Sequence, residues 1–497
     1  MKTKLLYLAL LSTITFYSQT QIGTDIDGEA ELDYSGTSVS LSSDGSTIAI
    51  GAPLNDENGT NSGHVRVYEN MSGVWTQIGT NIDGETAGDE SGRSVSLSSD
   101  GSIVAIGAHL NDDNGNNSGQ VRVYQNISDV WTQIGTDIDG NGELDYSGTS
   151  VSLSSDGSIL AIGAPGYSGD ASGGKGHVRV YKNMSGVWTQ IGTDITGEMV
   201  DNQSGSSISL SADGGTVAIG ASLNYGGALE SGHVRVYQNI SDIWTQIGAD
   251  IDGISLWDQS GWSVSLSSDG STVAIGTPFY DVNGDISNES GHVRVFENMS
   301  GVWTQVGTEI TGEAAGDHSG WSVSLSSDGN TLAIGSPFND GNGSSSGHVR
   351  VYKNISSVWT RLGTDIEGEA ASDRSGYSVS LSSDGNTLAI GAPYNDGNDS
   401  DSGHVRIIDL SDAVLLSLEN NEISKNFTLY PNPVLNQLQL QLSPKLDYKK
   451  ATIYNCFGQL VLQSKTTTIN VSSLSSGVYF IEVETNKGKG VKRFIKK

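Results

Sequence analysis

Between Ser94 and Ser98 the chain alternates small polar with apolar residues (SVSLS), the period-two pattern of a strand with one buried face, and Asp100-Gly101 then supplies a hairpin turn. Ile103 to Ala108 (IVAIGA) is almost continuously apolar and predicts a second strand buried on both faces. After a polar loop from Asn111 to Gly119, alternation resumes in QVRVYQN, and a short turn near Ser128 and Asp129 leads into VWTQIGTDI from Val130. Four short antiparallel strands in one unit make the blade of a β-propeller.

The unit recurs. SVSLSSDG or a near copy occurs seven times, its Asp at 44, 100, 156, 213, 269, 328 and 384, so successive copies lie 56, 56, 57, 56, 59 and 56 residues apart; a fixed period of this length marks a repeat architecture. The fourth-strand motif WTQIG, with small changes in the last two, occurs six times, at Trp75, Trp131, Trp188, Trp244, Trp303 and Trp359. The missing copy stands at the front: Thr20 to Ile26 reads TQIGTDI with no first three strands before it, whereas the last copy stops after HVRIIDL, His404 to Leu410. An N-terminal strand that completes the C-terminal blade removes the exposed edges of an open array. The expected fold is all-β, a seven-bladed propeller closed by an N-terminal strand.

At SGTSVSLSSDGSTIAIGAP (Ser35 to Pro53) and GHVRVY (Gly63 to Tyr68) the copies resemble FG-GAP repeats, the blade units of the integrin α-subunit propeller and of many bacterial surface proteins. The resemblance covers roughly Thr20 to Ala413. Two departures stand out: the Phe-Gly is Ser-Gly here, and the turn between strands one and two is a short Ser-Ser-Asp-Gly. Calcium-binding members carry a longer Asp-x-Asp-x-Asp-Gly loop there, so the resemblance does not bring the family's usual calcium sites with it.

Composition changes the picture in three respects. Gly is about 13% of the chain, and the net charge of −31 is split into −37 over the first 415 residues and +6 over the rest. So acidic a body disfavours nucleic acid and anionic lipid and suits either cations and basic partners or plain solubility. Lys2 and Lys4 precede an apolar run from Leu5 to Tyr17 and a polar exit at Ser18, Gln19 and Thr20. This is a secretory signal pattern, with cleavage expected near Gln19; no later segment has transmembrane length. Cys456 is the single cysteine, which excludes an intrachain disulfide, and a buried inert thiol is the expectation.

The loops between strands two and three vary in length and sequence from copy to copy, whereas the turn between strands one and two is nearly constant. Variation on one face of a rigid ring points to binding there. Each blade opens on a carboxylate in Asp-x-Ser-Gly: Asp33, Asp89, Asp145, Asp258, Asp317 and Asp373, with Asn202 in blade four. These carboxylates suit cations or hydroxyl-rich ligands, or else each bonds its own turn backbone. Between the Ser-Gly and strand one stand Thr37, Arg93, Thr149, Ser206, Trp262, Trp321 and Tyr377, the last three aromatic and in consecutive blades, with Trp257 close by. Such a sector suits stacking on sugar rings, anchoring a protein partner, or packing between blades. The ligand-binding candidates are Trp257, Trp262, Trp321, Tyr377, Asp258, Asp317 and Asp373.

In the blade-five loop, Asp281, Asn283, Asp285 and Ser287 alternate as the oxygen ligands of a calcium loop do, but the twelfth-position acid is absent and Gly284 comes two places early. Calcium is the one cofactor this raises. His64, His177, His233, His292, His348 and His404 belong to different blades, too far apart to share one ion, and read as structural, pairing with blade acids. The Asn-x-Ser sequons at Asn126 and Asn239 coincide with a needed turn. No nucleophile motif, phosphate loop or paired catalytic carboxylates stand out.

After Lys425 the pattern shifts to LYPNPVLNQLQLQL, ATIYNCFGQLVL, INVSSLSSGVYFIEV and the basic GVKRFIKK, strands of a small C-terminal β-sandwich. Tyr430-Pro431-Asn432-Pro433, Gly458-Gln459, Leu474 with Ser476-Gly477-Val478-Tyr479, and the Lys-rich finish are similar to the C-terminal sorting domain of the Bacteroidetes type IX secretion system. That resemblance implies export through the type IX machinery and release or attachment at the cell surface. The expected organisation is a signal peptide over 1–19, a propeller over 20–412, a linker over 413–425 and a sorting domain over 426–497. The expected role is a non-enzymatic binding or adhesion propeller for a glycan or protein, the alternative being a secreted enzyme acting on polysaccharide.

Overall fold

The computed structural model describes residues 19–166, 174–225, 227–281, 288–413, 426–444, 446–455, 460–486 and 488–497. The signal segment before Gln19, the calcium-loop candidates Asn283, Asp285 and Ser287, the stretch 414–425 and Cys456 lie outside them. Residues Gln19–Ala413 form one unit and the C-terminal region another.

In blade one the alternating octapeptide forms the innermost strand Ser38–Leu41, followed outward by Thr47–Ala52, His64–Asn70 and Trp75–Gln77, all antiparallel. The second strand is buried along its whole length, as its unbroken apolar sequence requires. Among the described residues seven such sheets are present, and their innermost strands touch in sequence from Ser38–Leu41 round to Ser378–Leu381, which returns to the first. Closure is by the N-terminal strand: Thr20 pairs with Asp409, Gln21 with Ile408 and Ile26 with Val405, so blade seven is built from both ends of the repeat array.

The apolar core lies between blades. One cluster joins Ala49, Val65 and Val67 of blade one to Val95, Leu97, Val104 and Ile106 of blade two. Each fully buried Val, Leu or Ile contributes roughly 1.5–3 kcal/mol. The two recurring glycines meet at this seam: a Cβ on Gly51 would run into the carbonyl of Gly92 in the next blade, and Gly391 meets Gly36 in the same way across the closure. That contact accounts for Ser-Gly and Gly-Ala-Pro recurring in register.

The polar half of the octapeptide is used as fully as the apolar half. Ser38 Oγ donates to Gly92 O at 2.8 Å, and Ser40 Oγ accepts from the Leu97 N–H at 3.0 Å, both across the seam. Ser42 and Ser46 donate to Asp44 within its turn. Burial pushes the Asp44 carboxyl up, but these hydrogen bonds outweigh it and hold the carboxyl below its usual range. Ser43 N–H donates to Ser99 O, Ser99 to Ser155, Ser155 to Ala212, Ala212 to Ser268, Ser268 to Ser327, Ser327 to Ser383 and Ser383 back to Ser43, at 2.8–3.0 Å. This closed circuit links the inner turns of all seven blades.

The outer strands are clamped separately. Trp75 Nε1 donates to Ile22 O of the preceding blade at 2.8 Å, and Trp131, Trp188, Trp244, Trp303 and Trp359 repeat the bond. At the closure Gln19 takes the tryptophan's place, its Nε2 donating to Leu362 O at 3.3 Å. In the turns before the fourth strand, Asn126 and Asn239 accept the N–H of Asp129 and Asp242, the use expected of them.

The C-terminal unit packs Phe427–Tyr430, Gln437–Leu442 and Thr468–Asn470 against Leu460–Ser464, Tyr448–Asn455, Gly477–Thr485 and Gly488–Lys496. Phe427, Leu438, Ile453, Ile481 and Phe494 fill the space between the sheets. Asn432 of the YPNP run accepts the Ile495 N–H at 2.8 Å, tying that motif to the basic finish.

Candidate functional site

All seven residues between Ser-Gly and strand one, namely Thr37, Arg93, Thr149, Ser206, Trp262, Trp321 and Tyr377, line one cavity of about 590 Å³. The same turn aims each of them: the residue three places earlier accepts its N–H, as Tyr34 O does from Thr37 and His318 O from Trp321, both at 3.1 Å. Those earlier residues, Tyr34, Glu90, Tyr146, Gln203, Gln259, His318 and Arg374, all have φ between 52° and 55°, a left-handed conformation uncommon for non-glycine residues. The same costly conformation thus recurs in all seven blades, while the residue it presents varies from Thr, Ser and Arg to Trp and Tyr.

The cavity is two-sided. Trp262 and Trp321 lie 4.8 Å apart between ring centroids, and Trp321 and Tyr377 5.5 Å. Behind them Phe279, Phe338 and Tyr394 continue the aromatic wall, with Phe279 5.4 Å from Trp262, Phe338 5.4 Å from Trp321, and Arg374 4.0 Å over Tyr394. The rest of the lining is mostly polar, with Thr37, Arg93, Tyr146, Thr149, Asp201, Gln203 and Ser206, interrupted by Pro165 and Leu223. Among the described residues no carboxylate lies within 4.0 Å of the Arg93 guanidinium, whereas neighbouring Glu90 faces His109 at 3.8 Å. Burial and the charge of Arg93 hold His109 neutral, down at about 3.

The blade-opening carboxylates do not line this cavity. Asp258 and Asp317 are buried and accept their own turn's N–H groups, from Ser255 at 2.6 Å and Ala314 at 2.9 Å, and Asp373 accepts from Ala370 at 2.8 Å. Asp317 and Asp373 also take the side-chain amides of Asn339 and Asn395. Of the two expectations for these carboxylates, the structure shows each bonding its own turn backbone. Blade five lacks the asparagine, having Tyr280 in its place, and Asp258 Oδ1 is left buried without a hydrogen bond. Burial therefore pushes the Asp258 carboxyl up to about 6, against the pull of the Ser255 and Ile254 N–H groups.

Trp257 is exposed and outside the cavity lining. Asp281, the one described member of the calcium loop, is buried and accepts the Glu289 N–H at 2.6 Å. Phe279, Phe338 and Tyr394 were not singled out in the sequence, although an aromatic after Gly-x-Pro in three consecutive blades was the available signal. The strand-three histidines do not converge on one point, but several meet carboxylates near the seam of their own blade, among them His64 with Glu29 and Glu57.

Seven four-stranded units sealed by paired glycines define a seven-bladed β-propeller. Residues 17–68, 80–124, 311–352 and 367–408 match the FG-GAP repeat, and residues 428–497 match the secretion system C-terminal sorting domain. The chain is an FG-GAP-repeat propeller with a type IX sorting domain, directed to the cell surface or exterior. No helix among the described residues is long and apolar enough to cross a membrane. No curated protein matches the chain. Similar solved structures include a candidate 6-phosphogluconolactonase of Bacteroides uniformis (13% identity, 67% of this chain and 86% of that one, TM-score 0.48). A periplasmic gluconolactonase of Pseudomonas aeruginosa, PpgL, gives 17% identity, 68% and 86% coverage and TM-score 0.45. Saccharomyces cerevisiae Sqt1 gives 12%, 96% and 99%, and 0.43.

Proposed function

We propose that the exported propeller binds a glycan in the two-walled cavity, with Trp262, Trp321 and Tyr377 stacking on sugar faces and Thr37, Arg93 and Thr149 meeting hydroxyl or acidic groups. The observation that carries this reading is the convergence of one variable residue from every blade on a single concavity, aromatic on one side and mostly polar on the other. Its volume falls in the range of small-molecule and oligosaccharide-sized pockets, whereas a protein partner needs about 800 Å² of matching surface. Stacking supplies affinity and the polar wall orientation.

The test is a glycan array followed by calorimetry on the propeller unit, residues 20–412 in the proposed organisation. Trp262→Ala and Trp321→Ala are expected to weaken the best glycan by about 2 kcal/mol each, the loss typical of a central aromatic anchor. Unchanged affinity in both variants removes the cavity from the reading. Turnover of the bound glycan would make the protein a polysaccharide-acting enzyme instead.

A further inference from the structure

His64 begins the third strand of blade one, is fully buried, and has no hydrogen-bond partner at either ring nitrogen. Glu29 and Glu57 each bring a carboxylate oxygen to it, so that one atom from each of the three lies within 4.8 Å of the others. Asn81 Nδ2 bridges the two carboxylates, at 3.0 Å from Glu29 and 2.9 Å from Glu57. Asp83, the register partner of His64, leaves Oδ1 buried and unbonded beside them. The cations nearby are Arg66, 3.8 Å from the other Glu29 oxygen, and Arg122, which donates to the Asp83 backbone carbonyl at 2.7 Å. A buried imidazole with free nitrogens, facing two carboxylates held together by a neutral amide, is a donor set that lacks its charge.

We propose that Glu29, Glu57 and His64 bind a divalent cation of the zinc class at the junction of blades seven and one. One imidazole with two carboxylates suits zinc, which accepts both donor types and leaves a fourth position for water. Ligand atoms at zinc distances stand about 3.4 Å apart. The exposed side chains of Glu29 and Glu57 close that gap by rotation, while His64 stays fixed in the sheet.

The placement gives the ion a purpose. Glu29 follows directly on the closing strand, two residues after Asp27, and Gly28 N–H is bonded to Gly403 O at 2.7 Å. Glu57 and His64 belong wholly to blade one. A cation held between them fixes the exit of the N-terminal strand against the outer part of blade one, two residues beyond the Asp27–His404 pair that ends the non-covalent closure.

The test is hydrogen exchange on the full exported chain, metal-free and with zinc or calcium added. At free zinc of about ten times Kd, exchange at the Ile22 and Gly28 amides is expected to slow about tenfold, because the ion binds only the closed state. Calcium is expected to give less than a third of that effect. Glu57→Gln, in an exposed loop, and His64→Gln are expected to abolish the zinc effect while Glu57→Gln keeps the metal-free exchange rates. Absence of zinc protection in the natural sequence overturns the proposal, as does full protection in Glu57→Gln. If His64→Gln does not fold, Glu57→Gln decides alone. Glycan affinity is measured in parallel, so failure of the cavity reading and of this one are separate outcomes.

Discussion

Replacing Asp258 by Asn should make the propeller less sensitive to pH between about 4 and 6. The Asp258 carboxyl is pushed up to about 6 by burial, against about 3.9 in an unfolded chain. Between those values the folded state holds a proton that the unfolded state has released, so stability from this group is complete below about 3.9 and is lost as pH rises through 6. A gap of about 2 in pKa, at about 1.4 kcal/mol for each, sets a ceiling near 3 kcal/mol. Desolvated but relaxed sites reach part of that, so about 1–3 kcal/mol is expected. Urea unfolding from pH 4 to pH 8 reads it: stability of the natural chain relative to Asp258→Asn should fall by that amount between pH 4 and pH 7, then level off. Tyr280→Asn provides the amide found opposite Asp317 and Asp373 and should remove much of the same slope while leaving the carboxylate in place. Parallel pH profiles for all three proteins would refute the argument that the missing asparagine raises this group.

Other outcomes follow from single contacts. Burial, then the charge of Arg294, holds His292 down at about 3. An unfolded histidine takes its proton near 6.5, so this group's stability is complete above that value and lost as pH falls; His292→Gln should regain about 2 kcal/mol at pH 5 relative to pH 7.5, read by the same denaturation series. In a propeller produced with residue 19 retained ahead of Thr20, Gln19→Trp should install at the closure the indole clamp that six other seams possess and raise the urea midpoint, equivalent to about 1 kcal/mol. Gly391→Ala places a methyl against the carbonyl of Gly36 and should cost about 3 kcal/mol in thermal or urea unfolding, since backbone on backbone has no side chain to yield.

The ring was legible in the sequence because its determinants are local and repeated. Seven SVSLSSDG copies give the blades, and six WTQIG motifs with an orphan TQIGTDI give the closure, without knowledge of any contact. The cavity-lining positions were equally legible, since they stand at one fixed offset from Ser-Gly. The carboxylates were not: Asp-x-Ser-Gly reads alike whether the Asp faces solvent or its own turn, and only the burial of Asp317 against Asn339, 22 residues away, decides between them. His64 meets Glu29 from 35 residues upstream across a blade junction, and no motif spacing encodes that meeting.

The Thr20–Asp409 pairing also fixes how the molecule carries load. The chain leaves the propeller through His404–Asp409, which lies between Thr387–Ala392 on one side and the N-terminal strand on the other. A pull transmitted through Ala413 therefore draws that strand lengthwise, and the ladders on both flanks resist in shear, many bonds at once. Had the last strand in sequence been the outermost, a single ladder would have borne the same pull. By lending its first strand to its last blade, the chain turns a weak edge into a strand gripped on both flanks.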